Sequence, residues 1–228
     1  MKISAFFPCH NEALNIERVA NAAAGVLADV ADDYEIIVVD DGSVDDTRAA
    51  ALRLAGQNPR IRVVSHERNM GYGAALRTGF AACRLEYVFF TDGDGQFDMQ
   101  ELRRLLPFVP QHDLVIGWRR QRRDPSIRRL YAGLYNCLVR ALLGLRARDI
   151  NCAFKLIKKQ VLSRIEFKTT GALTSAELLV KARRLGFKTK ELPVVHYPRL
   201  AGQQSGGSPR VIFRMFYELL LNLGTLRR

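Results

Sequence analysis

Apolar residues fall in short continuous blocks separated by stretches of helical period, and this alternation predicts the fold. Ile3 to Phe7, Glu35 to Val39, Ile61 to Ser65, Tyr87 to Thr91 and Leu114 to Gly117 read as buried strands. Between them, Glu12 to Val30, a segment opening near Asp45, Gly73 to Cys83 and Met99 to Phe108 read as helices. Strands apolar on both faces and alternating with helices imply a mainly parallel sheet flanked by helices, an α/β class. After residue 118 the order loosens: a long helix through Tyr135, Leu138 and Leu142, a strand-like Asn151 to Lys158, a helix around Ser175 to Leu185 and a strand Lys190 to His196. Ala201 to Pro209 is a Gly/Ser/Gln loop, and Val211 to Leu223 is an oily helix with one polar stripe at Arg214, Glu218 and Asn222. That tail is shorter than the roughly 20 apolar residues of a spanning helix, so it packs on the domain, pairs with a partner or lies in a membrane interface. The expected organisation is one domain over 1–209, with halves 1–118 and 119–209, followed by an amphipathic helix over 210–228.

Length and composition sharpen this picture. A chain of 228 residues, 48% hydrophobic and 25% charged, can bury a full core, which excludes disorder. Thirty-five Lys and Arg against 23 Asp and Glu leave +12, so a phosphate-bearing partner is expected: nucleic acid, nucleotide or lipid headgroup. The six arginines between Arg119 and Arg129 concentrate that charge. Cys9, Cys83, Cys137 and Cys152 lack metal-ligand spacing and read as reduced core thiols. Met1 to Glu12 lacks the long apolar region and small-residue cleavage site of a signal peptide, so a cytoplasmic protein is expected.

The chemistry is expected where strands end, because open α/β sheets bind ligands beyond the strands' carboxyl ends. Three such ends carry carboxylates: Pro8-Cys9-His10-Asn11-Glu12, Asp40-Asp41-Gly42-Ser43, and Asp92-Gly93-Asp94-Gly95-Gln96. Asp92 and Asp94, one glycine apart, repel unless a hard divalent ion lies between them and a phosphate, which suits Mg²⁺ or Mn²⁺, with Gln96 as a neutral oxygen or a holder of bound water. A calcium loop fails, since its glycine and glutamate positions are Phe97 and Arg103. Asp41 can accept a hydrogen bond from a base or ribose, while Ser43 or Asp45 caps the next helix.

These motifs, with Asn69-Met70-Gly71-Tyr72-Gly73, Gly117-Trp118-Arg119, Asp149 to Lys155, Glu177 and Tyr197-Pro198-Arg199, resemble in order and spacing the family 2 glycosyltransferases of GT-A fold, most nearly the dolichol-phosphate or polyprenol-phosphate mannose synthase group. The resemblance implies a Rossmann-like sheet and metal-dependent sugar transfer from a nucleotide diphosphate sugar (GDP-mannose or a UDP-sugar) to a lipid phosphate at the cytoplasmic membrane face. It implies that Pro8, His10, Glu12, Val39 and Asp41 hold the nucleoside, with Gly73 alongside. Asp92, Asp94 and Gln96 would hold metal and diphosphate, Gly93 allowing close approach. Arg119, Arg128 and Arg199 would grip phosphates of donor or acceptor. His10 stands where the group more usually has tyrosine, and the lysine expected soon after Arg199 is replaced by a Gly/Gln/Ser run.

An anionic lipid-phosphate acceptor needs no strong base; a hydroxyl acceptor, as in envelope polysaccharide or glycolipid synthesis, would need Glu177 or Asp149. Either carboxylate can equally serve only to pair an arginine. A homo-oligomer or a membrane-anchored partner subunit is also expected. A nucleic-acid-binding module explains the charge but not three acidic loops that would repel a polyanion, and a non-catalytic scaffold leaves Asp41, Asp92 and Asp94 without a task.

Overall fold

The computed structural model describes residues 1–120, 126–171, 173–199, 201–202 and 209–227; within the helices, the side chains of 126–130, 132, 209–215, 225 and 227 lie outside the description. Seven strands make one sheet: β1 (Lys2–Cys9), β2 (Asp33–Asp40), β3 (Ile61–Ser65), β4 (Tyr87–Phe90), β5 (Leu114–Arg119), β6 (Lys155–Lys158) and β7 (Thr189–Val194), in the order β3-β2-β1-β4-β6-β5-β7. All neighbours are parallel except β6, which runs antiparallel between β4 and β5. Because β6 slots between them, residues on both sides of position 118 share one sheet.

The helices are α1 (Ile16–Val30), α2 (Thr47–Gln57), α3 (Tyr72–Ala82), α4 (Leu102–Leu105), α5 (Ser126–Leu143), α6 (Lys159–Ser163), α7 (Thr174–Arg184) and α8 (Pro209–Arg227). Apart from α6, which packs on β6, they fall into two packed series, one linking α4, α1 and α2 and the other linking α3, α7, α8 and α5. Helices on both faces explain why β1 is buried from Ile3 to Cys9 with no polar alternation. Phe6 shows how close the layers are. Its ring lies 5.3 Å from Phe90 and 5.2 Å from Phe80, over Gly79 of α3, where any Cβ would overlap the ring. Glycine inside a helix costs about 1 kcal/mol relative to alanine, and the aromatic cluster offsets it with about 0.5–1.5 kcal/mol per ring pair beyond area burial.

Three expected elements are shorter or broken. α1 starts at Ile16 rather than Glu12, because Asn11 adopts φ 58° and the following residues turn back to bond the loop after β2. Met99 to Phe108 is two 3₁₀ turns flanking the single turn of α4, with Pro107 unable to donate to a continuing helix. Only Lys155–Lys158 of the segment from Asn151 is strand.

The tail packs on the domain, one of the three arrangements expected for it. Glu218 and Asn222 of its polar stripe are half-buried: Glu218 lies against Gly171, and Asn222 donates to the Glu218 carbonyl at 2.8 Å. Leu219 and Leu226 are buried, and Phe216 meets Tyr135 of α5 edge to face. Facing outward are Tyr217, Leu220 and Leu221, the two leucines 66% and 63% exposed. Arg214 lies outside the described side chains. Cys9, Cys83 and Cys152 are buried thiols and Cys137 is exposed. Among the described residues no helix is long and apolar enough to cross a membrane.

Candidate active site

The loops leaving β1 and β2 are laced together. With its backbone left-handed, Asn11 donates its N–H to Ser43 Oγ at 3.0 Å while its Oδ1 accepts the Val44 N–H at 3.0 Å. The Glu12 N–H bonds Thr47 Oγ1 at 2.7 Å, and the Ala13 N–H bonds Asp45 Oδ2 at 3.2 Å. Asp40 closes its own turn by accepting the Ser43 N–H at 3.1 Å. His10 Nδ1 lies 2.9 Å from the Asp41 carbonyl. One rigid wall therefore carries Pro8, His10, Glu12 and Asp41.

Asp41 faces inward. Its Oδ1 accepts from Met70 N–H at 2.8 Å and lies 2.6 Å from His66 Nδ1, and its Oδ2 accepts the Gly71 N–H at 2.8 Å. His66 reaches on through Nε2 to Thr78 of α3 at 2.9 Å. The carboxylate is thus the anchor of the 66–71 loop, a role the sequence motif did not reveal, and His66 is an unforeseen member of the site. Val39 is fully buried in the sheet, so its side chain offers a ligand no surface.

The loop after β4 lies beside this wall. Gly93 donates to the Pro8 carbonyl at 3.4 Å, and a Cβ there would overlap Cys9 Sγ. The neighbouring strand end by itself demands a glycine here. Gly73 is likewise set by packing: a Cβ would overlap Thr170 and Thr174, which brings α3 against the start of α7. Asp94 Oδ1 accepts the Gln96 N–H at 3.0 Å. Gln96 ties the loop to the chain after β7, its Nε2 donating to the Tyr197 carbonyl at 2.9 Å and its carbonyl accepting the Tyr197 N–H at 2.8 Å. The carboxamide nitrogen is thus committed to Tyr197.

Asp92 is the electrostatic outlier. Its Oδ1 is shut from solvent and, among the described residues, has no hydrogen-bond partner. Burial first, and the Asp94 charge second, push its pKa from 3.8 up to about 7, against the pull of Tyr72, Arg119 and Lys155. Burial likewise pushes the Lys155 ammonium down; it is fully buried, bonds the Ile150 and Cys152 carbonyls, and sits 5.4 Å from the Phe90 ring centre. A buried carboxyl oxygen without a donor, beside a second carboxylate, is a fit for a hard cation. Among the described residues no three His, Cys, Asp or Glu side chains cluster as a metal cage, so a cation here would draw its remaining ligands from phosphate and water, as Mg²⁺ commonly does.

The arginines are held in buried pairs. Arg119 grips Asp149 bidentately, Nε to Oδ2 at 2.6 Å and Nη2 to Oδ1 at 2.8 Å, each side chain about a tenth exposed. Arg199 donates to both oxygens of Glu12 at 2.6 Å, and its Nη1 lies 3.9 Å from Asp94 Oδ2. Burial raises the Glu12 pKa, opposed by the bonds from Asn15 and Arg199. Arg199 therefore bridges the first acidic loop to the third. Arg128 belongs to α5, but its side chain lies outside the described residues.

Glu177, the other expected base, is fully buried and accepts from Lys168 N–H, Thr169 N–H and the Thr169 hydroxyl at 2.7–2.9 Å, with Lys181 paired at 2.6 Å. Burial alone would raise its pKa, but those bonds outweigh it and hold it below 4.5. It anchors the 168–171 loop, whose Thr170 carbonyl accepts the Ala74 N–H at 3.1 Å.

This sheet, with a paired-carboxylate loop at its middle and the laced β1 and β2 loops beside it, is a GT-A-type architecture. Glucosyl-3-phosphoglycerate synthase from Mycobacterium tuberculosis has the same fold, with a TM-score of 0.77 at 24% identity, covering 98% of this chain and 80% of that one. The family model for glycosyl transferase family 2 matches residues 4–166, and the chain belongs to that family. Glycosyltransferase AglD of Haloferax volcanii is 32% identical across 87% of this chain and 34% of its own length. Dodecaprenyl-phosphate galacturonate synthase of Rhizobium johnstonii is 26% identical across 96% and 66%, and dolichyl-phosphate beta-glucosyltransferase ALG5A of Trichomonas vaginalis 32% across 84% and 64%. The chain thus spans from about a third to just under two thirds of these relatives.

The Asp92 environment gives a pH-dependent expectation. A carboxyl whose folded pKa is raised loses stability as pH climbs from about 4 through about 7, because the native state must release a proton it holds tightly. A divalent ion binds the released form, so Mn²⁺ should raise the melting temperature more at about pH 8 than at about pH 5.5. Thermal scans with Mn²⁺ and with EDTA across that range check this; a metal shift independent of pH would contradict the placement at Asp92.

Proposed function

We propose that this chain is a metal-dependent glycosyltransferase that moves a sugar from a nucleotide diphosphate sugar to a polyprenyl-type lipid phosphate. The observation that carries the reading is the donorless Asp92 oxygen beside Asp94, at the edge where the laced loops make a nucleoside wall. In transfer, the bond from the sugar's anomeric carbon to the nucleotide β-phosphate oxygen breaks and a bond to the acceptor phosphate oxygen forms. The nucleoside diphosphate leaves with the bonding pair. Asp92 and Asp94 would hold a Mg²⁺ or Mn²⁺ ion, whose contribution is to neutralise charge on the diphosphate.

The protein's own residues do the rest. Pro8, His10 and the backbone around Asp41 orient the nucleoside; Arg119, fixed in direction by Asp149, meets phosphate charge, a task the family resemblance extends to Arg128. Arg199 exchanges part of its pairing with Glu12 and Asp94 for the diphosphate, so donor binding replaces an internal ion pair by one of similar strength. Gln96 holds the acidic loop in place through Tyr197. Similarity to a dodecaprenyl-phosphate galacturonate synthase and a dolichyl-phosphate beta-glucosyltransferase supports a lipid-phosphate acceptor. So does the engagement of Glu177 and Asp149 in internal bonds, since an anionic acceptor requires no base. The acceptor half is assigned to 119–209 and the donor half to 1–118.

The reading places the chain peripherally at the cytoplasmic face of a membrane. Tyr217, Leu220 and Leu221 on α8, with exposed Tyr131 and Leu134 on the adjoining α5, form apolar surface on a chain of net charge +12, a combination suited to an anionic bilayer. The double substitution Leu220→Glu with Leu221→Glu should weaken binding to anionic vesicles at least about tenfold without lowering the melting temperature, since neither leucine is buried. Unchanged vesicle binding with a change in oligomeric state would assign the ridge to a second copy or an anchored partner subunit.

The test of the function is a donor panel of UDP- and GDP-sugars with undecaprenyl and dolichyl phosphate and Mn²⁺ or Mg²⁺, reading lipid-linked sugar. A phosphodiester-linked product with at least one donor is expected. Transfer only to hydroxyl acceptors, or none with any donor, would overturn the reading.

A further inference from the structure

A second concave site lies along the β5–β7 edge, behind the Arg119–Asp149 pair. It is a cleft of about 680 Å³ whose rim carries Arg146, Arg148 and Arg183, with Glu191 as its one carboxylate among the described residues; the neighbouring Lys190 turns its ammonium to the Phe108 ring on the other face of β7. That carboxylate is already occupied, its Oε1 accepting the Arg148 backbone N–H at 2.8 Å. The floor is apolar, with Leu145 and Leu179 buried and Phe187 half-buried. The volume falls in the range of small-ligand sites, which combine an apolar floor with a few convergent polar groups.

The rim is held in place from outside the cleft. Arg140 of α5 donates to the Ala147 carbonyl at 2.8 Å and the Arg148 carbonyl at 3.1 Å, fixing the 145–148 turn, and the Arg148 guanidinium sits 5.0 Å from the centre of the Trp118 ring. The arginines at 146, 148 and 183 are exposed, so their charge is available to solvent-borne ligands. Three cations lining one cavity repel one another, and an anion with several acceptor oxygens relieves that repulsion. Arginine forks match phosphate geometry in particular.

We propose that this cleft binds a phosphate-bearing organic anion, its phosphate among the rim cations and its apolar part on the Leu145–Leu179–Phe187 floor. Such a group reaches the protein either as a lipid headgroup or as a free phosphate ester. The cleft is separate from the acidic loops but adjoins the active site through two dipeptides. Consecutive strand residues point to opposite faces, so Trp118 lines the cleft while Arg119 enters the site; Arg148 stacks on Trp118 while Asp149 orients Arg119. A ligand that draws Arg148 from the ring would thereby adjust the Arg119–Asp149 pair. That consequence for transfer rests on the function proposed above; the binding itself does not.

The experiment titrates the full chain, in EDTA so that no divalent ion bridges the acidic loops, with inorganic phosphate, with hexyl phosphate, and with phosphatidylcholine vesicles containing or lacking phosphatidic acid. Saturable binding is expected that is tighter for hexyl phosphate than for inorganic phosphate or that requires phosphatidic acid, the first naming a free ester and the second a headgroup. Arg183→Glu with Arg146→Glu should weaken it at least about tenfold, or about 1.4 kcal/mol, and Arg146→Glu alone should weaken it in the same direction. Asp94→Asn should leave it unchanged, which separates this site from the proposed donor site. Binding that survives charge reversal, or the absence of binding in every arm, would overturn the proposal. Melting curves of the charge-reversed chains confirm that they fold.

Discussion

Asp94→Asn is expected to reduce sugar transfer by about a thousandfold, which corresponds to about 4 kcal/mol of transition-state stabilisation. Asparagine keeps the side-chain oxygen that accepts the Gln96 N–H, so the turn survives and only the negative charge is removed. Folding should be unharmed, and the melting temperature without metal should rise slightly, because the repulsion that lifts Asp92 is relieved. The combination is diagnostic: a structural aspartate would lose stability together with activity, whereas a ligand of metal and diphosphate loses activity alone. Rates with a productive donor and acceptor, beside thermal scans, make the comparison.

The second large effect concerns Glu177. Glu177→Ala strips the acceptor from Lys168 N–H, Thr169 N–H and the Thr169 hydroxyl and leaves Lys181 without its buried partner. Breaking a buried pair of this kind costs about 3–5 kcal/mol, which for a domain of this size lowers the melting temperature by about 10 °C. The folded-state pKa lies below the usual value, so the wild-type advantage exists above about pH 4.5 and closes as pH falls through the native pKa. In the folded fraction, the expected change is a raised KM for donor, since the 168–171 loop that Glu177 anchors packs on Gly73 and Ala74. A loss of kcat of a hundredfold or more with stability intact would instead make Glu177 a general base and favour a hydroxyl acceptor.

Much of this arrangement was legible in the amino-acid order because the physics is local. Apolar blocks at Ile3, Glu35, Ile61, Tyr87 and Leu114 became strands, since a strand buried on both faces needs no partner information to be recognised. The acidic strand ends fell on one sheet edge because parallel strands all point their carboxyl ends the same way. What the sequence withheld depended on contacts distant along the chain. Nothing near Asp41 announces that His66, Met70 and Gly71 would converge on it. Nor does the sequence show that Thr170 and Cys9 would pack against the glycines at 73 and 93. Burial places the Lys155 charge among those that bear on Asp92, which its sequence neighbours do not announce. For α8, helical periodicity shows that a polar stripe exists, but its partner decides which way it turns, and Gly171 offers Glu218 a place inside.

If Asp92 and Asp94 join a divalent ion to a nucleoside diphosphate, electron paramagnetic resonance of Mn²⁺ measures it directly, because protein-bound Mn²⁺ leaves the free-ion signal. Addition of UDP or GDP to the wild-type chain should deplete that signal well beyond what the nucleotide alone does, and the Asp94→Asn chain should not. Nucleotide binding of equal strength in EDTA, or equal Mn²⁺ depletion by both chains, would contradict it.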